Sequence, residues 1–366
     1  MGAGGLERVV ASIARRTDKA LFRHWIIVLH LCDMEYMRRL KADGVEVVFL
    51  QSNSVSRASR ARKLCRLAAY LKPDVVHGHS GAFMDAYVMA LLTRKRPRLL
   101  LTSHGYPVDS GVRELIRVGL PTLPAQAHVC VSEDLAEFFR RRYRFLPSAQ
   151  RVITILNGVD TKIYRPRPKP RVLPSVSAQA LEDLQESFVI GSVGRLEPVK
   201  NHQYLLQAFA ALVGKTDRPC RLVLVGTGSL RARLEKMIRE MGIDELVQFL
   251  GVRDDIPQIL NLFDAFALTS LSEGSSISLL EAQASGVPAF VTDVGGNDRI
   301  VIDGSTGYLC PLDNPSIMAE RLAMIVEKPE HHRVLSKKAR QMALQSFDLD
   351  TMVRQYESLY LGKAAA

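Results

Sequence analysis

"YRPRPKPRVLPSVSAQ" (Tyr164–Gln179) decides how the rest of the chain is read. It carries four prolines and no apolar periodicity, so it reads as a linker. On its N-terminal side, short β-branched runs alternate with longer amphipathic ones. The strand candidates are "HWIIVLH", "VEVVFLQ", "PDVVHGH", "RLLLTSH", "AHVCVS" and "RVITILN". Helical stretches such as "RASRARKLCRLAAYL" and "SEDLAEFFRRRY" lie between them, the second with Ser132 placed to cap and acids in its first turn. Beyond the linker the alternation restarts with "SFVIGSVGRL", then "NHQYLLQAFAAL", "CRLVLVGTG", "SLRARLEKMIREMG", "LVQFLG", "AFALTS", "SISLLEAQAS" and "PAFVTD". Strand–helix alternation on both sides of a linker predicts two doubly wound α/β domains facing a cleft. The expected boundaries are 1–165, a linker over 166–187, 188–347, and a C-terminal helix over 348–366 packing back on the N-terminal domain.

Composition agrees. The 366 residues suit two domains, and 47% hydrophobic with 24% charged residues is the balance of a globular protein. No window has the eighteen apolar residues of a membrane span, and the start lacks the pattern of a signal peptide. Cys32, Cys65, Cys130, Cys220 and Cys310 are scattered and odd in number. That argues for a reducing cytoplasm and against a disulfide framework or a zinc site. The net charge of +11 is uneven: residues 1–180 hold 30 Lys and Arg against 14 Asp and Glu. A basic first half suits an anionic partner such as a membrane surface, or is simply a solvated basic surface. Nucleic acid is disfavoured, because the basic runs lack interleaved aromatics. "FFRRRYRF" (Phe138–Phe145) comes closest and reads as a membrane- or acceptor-facing patch.

Ligands in doubly wound sheets bind outside the carboxyl ends of the strands, so the loops after strands carry the chemistry. "LTSLSEGSSISLLEAQASGVP" (Leu268–Pro288) places a small turn and a helix start after a strand. The backbone N–H groups of Gly274, Ser275, Ser276, Ile277, Ser278 and Leu279 would form an anion site suited to phosphate. Glu281 would lie roughly 5–8 Å along the helix axis, about the distance from a diphosphate to its ribose. A carboxylate there accepts two hydrogen bonds from a ribose diol, and Glu273 would lie on the other side of the phosphates. Taken alone, two glutamates with seven residues between them are equally two unrelated surface acids. "SVGRLEPVKN" adds Arg195 and Lys200 after another strand, two cations able to clamp a diphosphate or simply exposed loop charges. "VLVGTGSLRARLE" supplies Gly226 and Gly228, but Arg231 stands where a dinucleotide fingerprint needs its third glycine. Those glycines either allow a close backbone approach or make a tight turn. In the first half, "GAGGLERVV" is a glycine-rich loop opening a helix, and His79 and His104 end two strands facing the cleft. No cluster has metal spacing; Arg253–Asp255 reads as helix capping before "IPQIL".

In this order the pieces resemble the retaining family 4 glycosyltransferases, which have the two-domain GT-B fold. The resemblance covers nearly the whole chain, strongest from "NGVDTKIYRP" (Asn157–Pro166) through "SVGRLEPVKN", "QFLGVRDDIP" and "EGSSISLLEAQASGVPAFVTDVGGNDRIV" to "GSTGYLCP". It implies that Glu281 holds the ribose hydroxyls, Glu273 the donor sugar, and that Arg195 and Lys200 neutralise the diphosphate leaving group. Gly4 and Gly5 would approach the phosphates, His104 would sit near the sugar and phosphate, and Gly226 and Val252 would line the nucleotide site. It further implies a UDP-sugar donor, with GDP- and ADP-sugars as alternatives, no required cofactor or metal, and a glycan or lipid-linked acceptor. The competing readings are a catalytically impaired nucleotide-binding protein and a non-transferring enzyme of the same fold. One departure stands out: the family has a strand ahead of the glycine-rich loop, and this sequence starts at the loop. Either the true start lies upstream, or the N-terminal sheet lacks its first strand, which would expose its neighbours.

Overall fold

The computed structural model describes residues 5–29, 34–50, 57–107, 110–174 and 176–363. The chain divides into two compact units, residues 1–157 with 350–366, and residues 158–349.

The second unit is built on one parallel sheet. Its strands are β7 (Phe188–Val193), β8 (Cys220–Val225), β9 (Val247–Gly251), β10 (Ala265–Leu268), β11 (Ala289–Thr292) and β12 (Gly307–Cys310). All the strand runs predicted beyond the linker are present, and β12 is added from "GSTGYLCP". Their order across the sheet is β12-β11-β10-β7-β8-β9, every pair parallel. The chain runs outward from β7 to β9, then returns to the other side of β7 to lay down β10. That reversal makes the β7/β10 boundary the topological switch point of the sheet. β10 and β11 are buried along their whole length, as strands covered on both faces must be. Helices His202–Val213 and Pro315–Glu327 supply Leu205, Leu206, Phe209, Met318, Leu322 and Ile325 to the core against Ile190, Leu222 and Leu224.

The proline-rich stretch belongs to this unit and is not bare linker. Helix Ala178–Glu186 starts within it, with Ser177 Oγ accepting from the N–H of Ala180. Leu173, Leu181 and Leu184 are buried, and Lys169 pairs with Asp264 at 3.0 Å. Leu181 and Leu184 have helical spacing, but the prolines ahead of them break the pattern that would reveal it.

In the first unit the described strands are β1 (Trp25–Val28), β2 (Glu46–Phe49), β3 (Val75–His79), β4 (Arg98–Ser103), β5 (Ala127–Cys130) and β6 (Val152–Thr154). All six predicted runs form strands, in two separate parallel sheets: β1-β2 and β3-β4-β5-β6. Helix Gly5–Arg16 comes first and buries Val9, Ala11, Ile13 and Ala14. Among the described residues no strand hydrogen-bonds to the free edge of β1 or of β3. Both strands are correspondingly half-exposed, whereas β5 is buried throughout. Ser132 caps helix Glu133–Arg142 as its sequence indicates, accepting from the Leu135 N–H at 3.3 Å. The final helix, Leu349–Tyr360, places Tyr356 and Tyr360 against His77 of β3 and Thr102 of β4.

A one-sided strand opens more readily than one held on both edges. In native-state hydrogen exchange, the amides of Trp25–Val28 should exchange faster than those of Leu99–Leu101, whose strand β4 is paired on both sides. Equal protection would contradict the split sheet.

Candidate functional site

At the switch point, the loops leaving β7 and β10 carry the expected cations and acids. Lys200 Nζ lies 2.5 Å from Glu273 Oε1, and Ser270 Oγ donates to the same oxygen at 2.6 Å. Both charged side chains are largely buried, Lys200 20% and Glu273 11% exposed. Arg195 is exposed and has no side-chain partner among the described residues. Glu281 is the fifth residue of helix Ile277–Ala284 and is only 3% exposed. A carboxylate buried to that degree costs several kcal/mol unless something polar answers it, so it is not an incidental surface acid. Ser276 is the N-cap residue, but its side chain makes no cap hydrogen bond; its hydroxyl lies 3.2 Å from that of Ser278. The first-turn N–H groups of that helix lack intrahelical partners by geometry and form the positive end of its dipole.

The loops are fastened to one another. The Leu271 N–H donates to Val199 O at 2.8 Å, and Thr269 Oγ1 donates to the carbonyls of Lys200 and Asn201. Thr292 Oγ1, at the end of β11, donates to Ser270 O at 2.6 Å. On the other flank the Leu196 N–H donates to Thr227 O, and the Leu230 N–H to Leu196 O. Glu197 accepts from the backbone and hydroxyl of Ser229 at 3.0 and 2.7 Å. These bonds hold its carboxyl below the usual range.

Gly226 and Gly228 therefore allow a close backbone approach. A Cβ on Gly226 would lie 1.9 Å from Gly194 O, and one on Gly228 2.4 Å from Leu196 O. Gly226 also has φ +131°, which side-chain-bearing residues rarely adopt. Arg231, in the place of the missing third glycine, stacks 3.7 Å over the Phe249 ring and pairs with Glu235. Val252 is exposed in the loop after β9.

Two further residues were not singled out from the sequence. Ser270 orients Glu273. Gly295, with φ +52°, passes so close that a Cβ would lie 1.9 Å from Glu273 O. The paired glycines of "TDVGGND" after a strand were the available signal. The capping expectation for Arg253–Asp255 needs correction. Asp255 is the N-cap residue, but its carboxylate makes no cap bond, because Arg253 holds it at 2.8 and 2.6 Å. A guanidinium fork outcompetes a single backbone N–H for a carboxylate.

In the first unit, Gly5 opens the first helix, and Gly4 lies outside the described residues. His79 and His104 end β3 and follow β4, with Nδ1 of the first 2.9 Å from Nε2 of the second. The arginines of "FFRRRYRF" are mostly engaged. Arg140 bonds Glu133, Arg141 pairs with Glu137, and Arg142 makes two bonds to buried Glu114, at 3.2 and 3.0 Å. Arg144 has no side-chain partner among the described residues. A surface cavity of about 790 Å³ lies here, with Tyr106, Phe138 and Phe145 in its wall.

Comparison with known proteins agrees with this arrangement. Residues 3–163 match the family "Glycosyltransferase Family 4", and residues 177–342 match "Glycosyl transferases group 1". The chain is a family 4 glycosyltransferase. Relatives include the N-acetyl-alpha-D-glucosaminyl L-malate synthase of Bacillus anthracis, 26% identical over 82% of this chain and 77% of that protein. Another is the Escherichia coli UDP-Gal:alpha-D-GlcNAc-diphosphoundecaprenol alpha-1,3-galactosyltransferase, 27% identical over 87% of this chain and 84% of the relative. The structure of Anabaena HepE in complex with UDP-glucose superposes with a TM-score of 0.82 at 20% identity, covering 99% of this chain and 97% of that one. The glycosyltransferase thus has the GT-B type of fold, with two Rossmann-like domains.

The packing makes a sharp demand on Gly226. Gly226→Ala should destabilise the glycosyltransferase by about 2 kcal/mol or more, through its Cβ clash and its positive φ. Gly242→Ala, also at positive φ but with nothing within 4 Å of its Cβ, should cost less. Denaturant unfolding of both variants checks this; equal losses would remove the close-approach argument.

Proposed function

We propose that this glycosyltransferase moves a hexosyl unit from a nucleoside-diphosphate sugar, UDP-linked, to a hydroxyl of a glycan or lipid-linked acceptor, with retention at the anomeric carbon. One observation carries the reading: Arg195, Lys200, Glu273 and the start of the Glu281 helix gather at the carboxyl ends of β7 and β10. In this reading Glu281 takes the ribose diol and Glu273 the sugar hydroxyls. Arg195, Lys200 and the N–H groups of the turn and helix start from Gly274 to Leu279 take the diphosphate. Negative charge grows on the diphosphate as the bond from the anomeric carbon to its oxygen breaks, so fixed donors there lower the barrier. The acceptor oxygen attacks the same face, and its proton passes to the departing phosphate oxygen. Two side-chain cations do the work that a divalent metal does elsewhere, so transfer is metal-independent. His104 contacts the sugar or phosphate from the first unit. The relatives' named substrates, among them a diphosphoundecaprenol-linked sugar, support a lipid-linked acceptor.

A cytoplasmic enzyme acting on such an acceptor works at an anionic membrane surface. Arg144 and the exposed Tyr106 and Phe145 of the first unit are suited to that contact. Binding to vesicles containing phosphatidylglycerol should weaken with salt and with Arg144→Glu; absence of binding at low salt would sink this part. The split sheet favours a second reading, a catalytically impaired nucleotide-binding protein.

Thermal shift with UDP, GDP and ADP, with and without magnesium, tests the donor. The expected result is a shift with UDP that is independent of magnesium and lost in Glu281→Ala. A shift without sugar transfer to any acceptor would favour the second reading, and no shift in a cooperatively melting protein would overturn the donor site.

A further inference from the structure

His79 and His104 sit side by side at the carboxyl ends of β3 and β4, and the structure ties them at two levels. The backbone N–H of His104 donates to Ser80 Oγ at 2.8 Å, which fixes the main chain next to His79. The rings meet at 2.9 Å between His79 Nδ1 and His104 Nε2. His79 in turn lies against the His77 ring, centroids 4.1 Å apart. His77 is immobilised at both nitrogens, by Tyr360 Oη at 2.9 Å and Thr102 Oγ1 at 2.7 Å. His79 therefore rests on a fixed platform.

A neutral imidazole has one N–H and one lone pair, so a bond between two neutral rings couples their tautomers: if His79 donates from Nδ1, His104 keeps its proton on Nδ1, and if His104 donates from Nε2, His79 keeps its proton on Nε2. Burial keeps both rings neutral at pH 7, lowering His104 to about 4 and His79 well below its ordinary value. Nε2 of His104 is taken up by His79, and among the described residues Nδ1 of His104 has no partner.

We propose that His79 is a positioning residue for His104: its Nδ1–H donates to His104 Nε2, which leaves the proton of His104 on Nδ1, available to a phosphate or sugar oxygen. The inference rests on the reading that His104 meets the donor. An Nδ1–H donates to a phosphate or sugar oxygen, whereas an Nδ1 lone pair facing a phosphate oxygen is repelled. In a free neutral imidazole the Nε2–H form prevails, so the proposed state exists only through His79.

The test is ¹⁵N NMR of the histidine rings at pH 7 in the full chain, with His104 assigned by its loss in His104→Gln. His104 should carry its proton on Nδ1 in the native protein and in His79→Asn, whose amide can donate to Nε2 from the same place. In His79→Leu it should revert to Nε2–H. An Nε2–H on His104 in the native protein, or an unchanged ring in His79→Leu, overturns the proposal. In turnover, His79→Leu should lower kcat about tenfold, the loss of one oriented hydrogen bond, with a smaller change in donor KM, and His79→Asn should recover most of it. If UDP binds and both variants turn over like the native enzyme, the positioning role fails. If the native chain binds no nucleotide, the functional reading fails, and the ring spectra still decide the tautomer.

Discussion

The Lys200–Glu273 pair joins the two loops that leave β7 and β10 at the switch point of the second unit's sheet. Parallel strands deliver their loops at the same end, but only the reversal between β7 and β10 leaves a crevice there for a ligand. The pair, together with Ser270, Thr269 and the Leu271–Val199 hydrogen bond, ties the two loops to each other. A site so tied is ordered in advance, and little binding energy is then spent on arranging it. Arg195 is the exception. Among the described residues its side chain makes no hydrogen bond or close ion pair, and its charge acts on nearby Glu197 through space.

The same economy governs the glycines around the site. Gly226 and Gly295 are not loop flexibility. Each is a place where one backbone lies against the carbonyl of another, Gly194 in one case and Glu273 in the other. The residues that carry charge are thus positioned by residues that carry no side chain. The first unit places His104 differently, through a chain of rings and hydroxyls running from Tyr360 by way of His77 and His79. The second unit adds close backbone contact to its side-chain hydrogen bonds; the first relies on a run of side chains.

Much of this was legible in the sequence. Short β-branched runs located the strands, and the second unit's strand–helix alternation implied its parallel sheet. Glu281, Glu273, Arg195 and Lys200 were visible because they follow strands. What stayed hidden depends on contacts distant in sequence. Nothing in "YRPRPKP" announces that Lys169 meets Asp264, and nothing in "RDD" that Arg253 takes the carboxylate from the helix start. The engagement of Arg140, Arg141 and Arg142 by acids turns a strongly basic run into a nearly compensated one. Charge counted along a sequence overstates the field wherever partners arrive from other elements. The His79–His104 bond needs the parallel register of β3 and β4, which no local pattern specifies.

The first unit is discontinuous, and this bears on how the protein is made. Residues 158–349 intervene before Leu349–Tyr360 can deliver Tyr356, which is fully buried, and the Tyr360 hydroxyl that holds His77. At about 5–20 residues per second, a ribosome needs roughly 10–40 s to cross that interval. Over that time the first-unit sheet has emerged without its closing helix, and β1 and β3 are already paired on one edge only. The contiguous second unit, by contrast, has all its strands before synthesis ends. During translation the second unit can reach its native state first, and the half that emerges first is the last to be completed.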